Sequence, residues 1–361
     1  MIEAVSFADL GAAVWDAACS QPDGDGWFWQ TSRWMEYSRA YRPELGSKDA
    51  SFALVDSGEV VALVQAFLET HGDHVELSFG GDAAWAPVIP GRAPRVRAAA
   101  WKAVMEATDE LARTAGASRA AFRVSPLIDS FATYLPEFLA WTSRFGYQDV
   151  SGATQVIDLD LSEASLRTGM TKGHRAAITQ GRRDLEVVTL EPGQGSHQAF
   201  TAYRAAHAAA AGRITRPAVT FDLMEAWLGE GHGLLVGARG GLGWAGFSYV
   251  LVHGTGAYYA SGANAAWAAS MPVGHVLQGE VIRHLKHLGI LRYEVGAQAG
   301  ATTPHLPASD KERNISRFKR GFGGRLAPMV VREKFYSADL YRAVRAERDA
   351  PYIANLKGAG E

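Results

Sequence analysis

The chain has 361 residues, which is long for one domain and comfortable for two. Apolar residues make up 47% of it and charged residues 20%, which excludes a disordered chain, and a net charge of −2 gives no overall attraction to nucleic acid or lipid. A single cysteine, Cys19, excludes an internal disulfide, and no stretch approaches the roughly 20 apolar residues of a membrane span. We therefore expect a cytoplasmic protein with a sizeable core.

The first half of the chain predicts an α/β unit. A helix is expected over residues 7–20, and a Gly/Asp turn at 23–26 leads into a cluster of aromatic residues. Residues 51–68 predict a hairpin that turns at Asp56-Ser57-Gly58. A strand over 75–79 follows, then a Trp-containing loop, a long helix and a final strand.

The second half repeats this order of elements. A hairpin within 233–252 and a strand over 257–261 precede a helix from about Gly274, and a strand returns over 291–295. A strand, a loop, a helix and a strand form a βαβ unit, which leaves the first amides of its helix available to an anion or an acyl group. One apolar stripe on that helix is formed by Leu277, Val281, Leu285 and Leu288, with Gly289 as the expected C-cap.

The loops of the two halves also correspond. Residues 78–87 have the sequence SFGGDAAWAP, and residues 260–272 have the sequence ASGANAAWAASMP. We infer an internal duplication of one α/β unit. The predicted boundaries are 1–150 for the first domain, 151–345 for the second and 346–361 for a C-terminal tail.

Positive charge gathers in two segments of the second half. Residues 172–183 have the sequence KGHRAAITQGRR, and residues 311–334 hold eight Lys or Arg against two Glu. Such segments suit a phosphate-bearing ligand or form a solvated basic face. Zinc motifs and nucleotide-binding glycine motifs are absent from the sequence, and Cys19 is expected to be a small core residue.

Five short motifs follow one another in the second half, and together they resemble the Fem family of aminoacyl-tRNA-dependent transferases, which add bridge residues to peptidoglycan precursors. The motifs are Lys172-x-x-Arg175-x-x-Ile178, Phe200-x-x-Tyr203, Tyr259-x-Ser261-Gly262, Tyr293-x-Val295-Gly296 and Ile315-x-x-Phe318-Lys319-x-x-Phe322-Gly323-Gly324. The resemblance covers residues 158–335 well and the first half in outline. It implies an α/β (α+β) protein of two tandem GNAT-like domains, each a mixed β-sheet flanked by helices.

The resemblance implies an acyltransferase that forms an amide bond. An aminoacyl group would pass from aminoacyl-tRNA to an amine on a small-molecule or peptidoglycan-precursor-like acceptor, with no tightly bound cofactor and no metal. Lys319 then stabilises the oxyanion and Phe318 shapes the pocket beside it. The expected substrate-binding residues are Lys172, Arg175, Tyr203, Arg213, Tyr259, Ser261, Asn264, Phe322, Asp82 and Trp85. His275 and His305 are alternatives for a general base, beside a proton shuttle through the substrate.

The sequence departs from the family at two places, and two alternatives stay open. The last core strand of the first half ends in Ser125-Pro126, where the family has an Asp-Pro pair, and the coiled-coil insertion of some members is missing. One alternative is an acyl-CoA-dependent N-acyltransferase acting on an amino sugar or a natural-product amine. Residues 268–274 lack the Q/R-x-x-G-x-G/A loop of such enzymes, which disfavours it. The other is a non-catalytic binding protein on the same fold, against which the intact Lys319 argues.

Overall fold

The computed structural model describes residues 2–21, 25–91, 93–300 and 308–358. Within these residues the chain forms two compact units, of which the first comprises Met1–Ala153, Ala299–Arg313 and Pro328–Glu361 and the second comprises Thr154–Gln298 and Asn314–Ala327. The change of unit after Ala153 lies close to the predicted one, but the end of the chain returns to the first unit. His305 and part of the predicted turn at 23–26 lie outside the described residues.

Helices and strands are distributed over all the described parts of the chain. Up to residue 149 they are β1 (Ile2–Ser6), α1 (Phe7–Leu10), α2 (Ala12–Cys19), α3 (Ser32–Tyr41), β2 (Lys48–Asp49), β3 (Phe52–Asp56), β4 (Glu59–Val64), β5 (Phe67–His71), β6 (His74–Ser78), β7 (Ala84–Trp85), α4 (Pro94–Thr114), β8 (Arg119–Arg123), α5 (Phe131–Arg144) and β9 (Gln148–Asp149). From residue 152 they are β10 (Gly152–Asp158), α6 (Glu163–Gly169), α7 (Lys172–Asp184), β11 (Glu186–Leu190), α8 (His197–Ala211), α9 (Ala218–Gly229), β12 (Gly233–Gly240), β13 (Gly243–His253), β14 (Gly256–Asn264), α10 (Val273–His287), β15 (Arg292–Gln298), α11 (Asp310–Arg320), β16 (Arg325–Met329), β17 (Val331–Phe335) and α12 (Ala338–Gly358).

The first unit contains two sheets. One has the order β1-β3-β4, and the other has the order β2-β5-β6-β8-β17-β9, with β7 beside β8. The predicted hairpin is confirmed as β3 and β4, but it belongs to a different sheet from the strands after it, because pairing is interrupted at Gln65 and Ala66. The helix expected over 7–20 is two helices, α1 and α2, since Gly11 between them has a φ of 83°.

The end of the chain completes the first unit. β17 lies between β8 and β9 and pairs antiparallel with both. Its Glu333 is 1% exposed and accepts hydrogen bonds from Arg119 at 2.8 Å and from both terminal nitrogens of Arg348. Because Arg348 belongs to α12, residues 346–358 continue a helix that binds the sheet, where the sequence analysis had expected a tail.

The second unit is built on one mixed sheet of seven strands in the order β11-β12-β13-β14-β15-β10-β16. α10 packs on this sheet through Leu277, Val281 and Leu285, each at most 1% exposed. Leu288, predicted in the same stripe, is 38% exposed because the helix ends at His287 and the chain turns at Gly289, whose φ is 78°. The predicted C-cap glycine is therefore confirmed.

The paired glycines after α11 have a structural reason. Gly323 and Gly324 have φ values of 87° and 81°, in the region that side chains other than glycine rarely adopt. A Cβ on Gly324 would overlap the carbonyl of Val156. These residues therefore turn the chain tightly from α11 into β16.

Candidate active site

Two parallel strands of the second unit separate towards their carboxyl ends. β14 and β15 pair only where residues 256–258 lie beside residues 292–294. Both strands continue, β14 to Asn264 and β15 to Gln298, and within the described chain their later residues do not pair with each other. Facing strand edges of this kind offer backbone N–H and C=O groups to an extended ligand.

The corresponding opening in the first unit is closed by the chain itself. β6 pairs in parallel with the start of β8, and β7 then takes the place beside the end of β8, with Ala84 opposite Phe122 and Trp85 opposite Arg123. The two loops that are similar in sequence thus differ in structure, because the second forms a single 3-10 turn at Ala266–Ala268. Of these two openings, the one in the second unit stays open.

Lys319 stands at this opening. It lies in the last turn of α11, and its Nζ is 2.8 Å from the position that a Cβ on Gly296 would take. Gly296, on β15, has a φ of 103°, so another residue there would be strained as well as displace the ammonium group. In the part of the chain that the structure describes, the side chain of Lys319 makes no hydrogen bond or ion pair, and its ammonium group is available to a ligand.

The charge of Lys319 is set by its surroundings. Burial lowers the pKa of Lys319, and the carboxylate of Glu294 partly offsets that effect. Glu294 is 6% exposed and accepts a hydrogen bond of 2.7 Å from the Thr154 hydroxyl, which fixes the carboxylate. The result is a cation held at low hydration beside two open strand edges.

A network of neutral hydroxyl and amide groups lies under β14. The Tyr293 hydroxyl donates to Oε1 of Gln278 at 2.7 Å, and Nε2 of Gln278 donates to the Ser248 hydroxyl at 3.3 Å. The Tyr259 hydroxyl hydrogen-bonds with Ser248 and Gln278, while burial raises the pKa of Tyr259 and of Tyr293. Both phenols therefore stay neutral, and the network holds β14 and β15 to α10 without adding charge.

Fewer backbone amides are free at the start of α10 than the sequence predicts. The N–H group of Val273 donates to the Met271 carbonyl at 2.9 Å, and that of His275 donates to the Pro272 carbonyl at 3.1 Å. The Phe318 ring lies 3.2 Å from where a Cβ on Gly274 would stand, and Nδ2 of Asn264 lies 3.8 Å from the same point. Two of the first three amides of this helix therefore donate to backbone carbonyls, and the Phe318 ring borders the third residue, Gly274.

The predicted residues divide into those at the opening and those elsewhere. Tyr259, Ser261 and Asn264 lie on the part of β14 beyond its pairing with β15, and Phe318 and Lys319 approach the opening from α11. Ser261 itself is 9% exposed, and Asn264 is exposed. These five residues are the candidate active site.

Five other predicted residues of the second unit have different surroundings. Tyr203 is fully buried among Phe200, Phe247 and Tyr249, and Phe322 is 1% exposed in the core, so both support packing instead of lining a cleft. Arg175 donates to the carbonyls of Thr168 and Met170 and so caps the end of α6. Lys172 begins α7 and Arg213 follows α8, and both are exposed.

Asp82 and Trp85 lie in the first unit, at the end of the closed opening. The Asp82 carboxylate accepts a hydrogen bond of 2.9 Å from Arg123, whose guanidinium lies 4.1 Å from the centre of a Trp85 ring. On its other side, Trp85 stacks on Trp29 at 4.9 Å. Trp85 is 9% exposed, so it acts chiefly as the base on which Arg123 and Asp82 are held.

Sequence reasoning missed several residues that build the site. Glu294, Gln278, Ser248 and Thr154 are polar residues in otherwise apolar strands and in the buried face of a helix. That isolation is the signal that was available, because a buried polar residue needs a partner. The sequence does not show which residues are the partners of each polar residue, because the partners lie on separate strands and a helix.

The comparisons with known proteins agree with this geometry. Residues 164–305 match the family model described as Acetyltransferase (GNAT) domain. The match covers less than half of the chain. The matched segment contains β14 and β15, the strands of the opening, and α10, the helix that connects them.

Solved structures extend the likeness over the whole chain. FemX has a TM-score of 0.70 with 13% identity, covering 94% of this chain and 99% of its own. A domain assigned as the C-terminal part of a lysylphosphatidylglycerol synthetase from Agrobacterium fabrum has a TM-score of 0.58 with 18% identity, covering 87% and 90%. L-PGS from Bacillus licheniformis has a TM-score of 0.55 with 15% identity, covering 87% and 96%. The predicted Fem-like, tandem GNAT fold is thereby confirmed.

Other comparisons and searches gave no match. Comparison of the sequence with curated proteins finds none. Among the described residues, no helix is both long and apolar enough to cross a membrane. The same residues contain no group of three or more His, Cys, Asp or Glu placed to hold a metal ion.

Proposed function

We propose that this protein is an aminoacyltransferase whose acyl donor lies in the opening between β14 and β15. The carrying observation is the Lys319 ammonium, which stands beside Gly296 at the open strand edges without a hydrogen-bonding partner among the described residues. When an amine attacks an activated acyl group, negative charge develops on the carbonyl oxygen. A fixed cation in a poorly hydrated setting stabilises that charge more than water does.

The remaining groups orient the reactants. The open edges of β14 and β15 supply backbone partners for the acyl chain, and Phe318 and Asn264 border the space at the start of α10. The attacking amine forms the new C–N bond, the C–O bond of the ester breaks, and the amine proton passes to the leaving oxygen. Holding both reactants in line accounts for a large part of such a rate enhancement.

The start of α10 favours an aminoacyl ester over an acyl-CoA donor. A pyrophosphate group binds the unoccupied amides of a helix N-terminus. Here the amides of Val273 and His275 already donate to the carbonyls of Met271 and Pro272, and the Phe318 ring lies against Gly274. Fem-family likeness and a solved neighbour named for a lysyl-bearing lipid support the same donor class. Exposed Lys172 and Arg213 are the cations proposed for its phosphates.

An acyl-CoA-dependent N-acyltransferase is the second candidate. The GNAT family match favours it, and so do the open strands, which suit the amide-containing arm of coenzyme A. In either case the acceptor is an amine.

Donor class is tested by binding competition on the purified full chain. Labelled mixed aminoacyl-tRNA is challenged with excess acetyl-CoA, and the roles are then reversed, at one fixed salt concentration because phosphate contacts weaken steeply with salt. We expect charged tRNA to stay bound, and to bind more tightly than the same tRNA after deacylation. Tight acetyl-CoA binding that displaces the charged tRNA would establish the second candidate instead.

Activity is expected to fall on the alkaline side with the titration of Lys319. Because burial lowers its pKa below the ordinary 10.5, the ammonium is lost at a lower pH than for an exposed lysine. Rates therefore decrease as pH rises through that lowered value. Single-turnover rates, corrected for spontaneous ester hydrolysis, measure this limb. Lys319→Arg should move it to higher pH, since a guanidinium stays protonated; an unmoved limb would assign it to another group.

A further inference from the structure

α7 and α11 are joined by two hydrogen bonds where the first begins and the second ends. The backbone N–H of Thr171, the N-cap of α7, donates to the Gly321 carbonyl at 2.9 Å. Nε2 of His174, in the first turn of α7, lies 2.9 Å from the Phe318 carbonyl. The second bond therefore reaches the peptide group that links Phe318 to Lys319.

The chemistry of the partners fixes the state of the His174 ring. A carbonyl oxygen only accepts, so Nε2 must carry the proton. Nδ1 lies 2.8 Å from the Thr171 hydroxyl, which also accepts the backbone N–H of His174. In the neutral ring Nδ1 accepts from that hydroxyl, and all three polar atoms are then satisfied. The His275 ring lies 4.6 Å away, and burial and the neighbouring His174 lower the pKa of His275.

Aromatic residues also pack against the same ring. Phe322 contacts it edge-to-face at 4.6 Å, and Phe318 lies at 5.7 Å. A Cβ on Gly321 would overlap the imidazole, so the glycine leaves the space that His174 fills. Few rotamers remain for an imidazole enclosed in this way.

We propose that His174 is a positioning residue that fixes the end of α11 and so holds the Lys319 ammonium at the opening between β14 and β15. This rests on the proposed function, because the benefit of a fixed cation lies in the acyl-transfer step. The ring does not touch the reactants. It acts through the Phe318 carbonyl, one peptide group before Lys319. An error of about 1 Å in a catalytic group costs up to about 10²-fold in rate.

Three variants separate this role from simple packing. His174→Ala removes the Nε2–H group that donates to the Phe318 carbonyl. His174→Asn keeps a polar group only near the position of Nδ1, which faces Thr171. His174→Gln places an amide N–H near the position of Nε2. We expect kcat to fall between about 10-fold and 10²-fold in the first two, with little change in KM, and His174→Gln to recover most of it. If His174→Ala does not fold, Thr171→Val is the further variant; it removes the hydroxyl that orients the ring and that also caps α7, and we expect kcat to fall in the same direction.

A readout without turnover keeps this test apart from the proposed function. The chain has eight lysines, so protein labelled at lysine Cε with carbon-13 gives few signals, and Lys319→Arg assigns the one from Lys319. In the wild type and His174→Gln we expect that signal to titrate below 10.5, and in His174→Ala and His174→Asn closer to the ordinary value. Identical Lys319 titrations in all folded variants would overturn the proposal. If the wild-type protein showed the lowered pKa of Lys319 but no turnover, that result would instead count against the proposed function.

Discussion

Replacing Lys319 with methionine is expected to lower kcat by about 10²–10³-fold, the usual cost of losing one group that stabilises an oxyanion. Methionine keeps most of the length and apolar contact of the lysine stem, so the change removes chiefly the charge beside Gly296. Because the ammonium acts on charge that develops only in the transition state, KM for the donor should change little. Single-turnover transfer with saturating enzyme measures the step itself.

The matched control is Arg317→Met on the same helix. Arg317 is exposed, and its nearest partner is the side chain of Asn314 at 3.4 Å. If positive charge along α11 acted only by attracting a phosphate-bearing donor, both substitutions would weaken donor binding. Both variants would then keep the kcat of the wild type. Equal rates for Lys319→Met and the wild type would remove Lys319 from the mechanism.

Replacing Glu333 with glutamine is expected to lower the free energy of unfolding of the first unit by about 3 kcal/mol. The carboxylate is 1% exposed between Arg119 and Arg348, and removing one member of a buried ion pair leaves the others buried without compensation. Burial alone would raise the pKa of Glu333, but bonds and charges of these two arginines hold it below its ordinary value. Its stabilisation is therefore present above the unfolded-state pKa and is lost as pH falls through the folded one.

Unfolding is followed by tryptophan fluorescence in urea, with Asp339→Asn as the control. Asp339 pairs with Arg342 on the surface of α12, and both side chains are more than 70% exposed, so this change should stay within about 0.5 kcal/mol. Truncation after Arg345 removes Arg348 and should destabilise the first unit much as Arg348→Met does. A truncated chain as stable as the wild type would restore the interpretation of residues 346–361 as a tail.

The order of elements could be predicted from the sequence because it depends on local patterns. The α10 stripe, the turn at Gly289 and the β3–β4 hairpin all follow from residues close together in the chain. The return of β17 to the first unit could not be predicted in this way, since its pairing with β8 joins residues 331–335 to residues 119–123. No local pattern records a partner so distant.

The candidate active site also combines features that the sequence predicts with features that it does not. The motif predicted Lys319 and Phe318 as site residues. The structure places Lys319 beside Gly296 and Phe318 beside Gly274. The sequence did not predict that β7 closes the opening of the first unit. Similar loop sequences form a strand in that unit and a 3-10 turn in the other. The sequence pattern also does not distinguish an aromatic residue at the opening, such as Tyr259, from one in the core, such as Tyr203.

The most direct test of acyl transfer at Lys319 is a product analysis. Wild-type protein and Lys319→Met are incubated with labelled mixed aminoacyl-tRNA, or with acetyl-CoA, and a panel of polar amines, and products are identified by mass spectrometry. We predict an amide-linked aminoacyl product that forms from charged tRNA with the wild type and at least 10²-fold more slowly with Lys319→Met. An acyl product formed from acetyl-CoA alone, or equal yields from both proteins, would contradict this account.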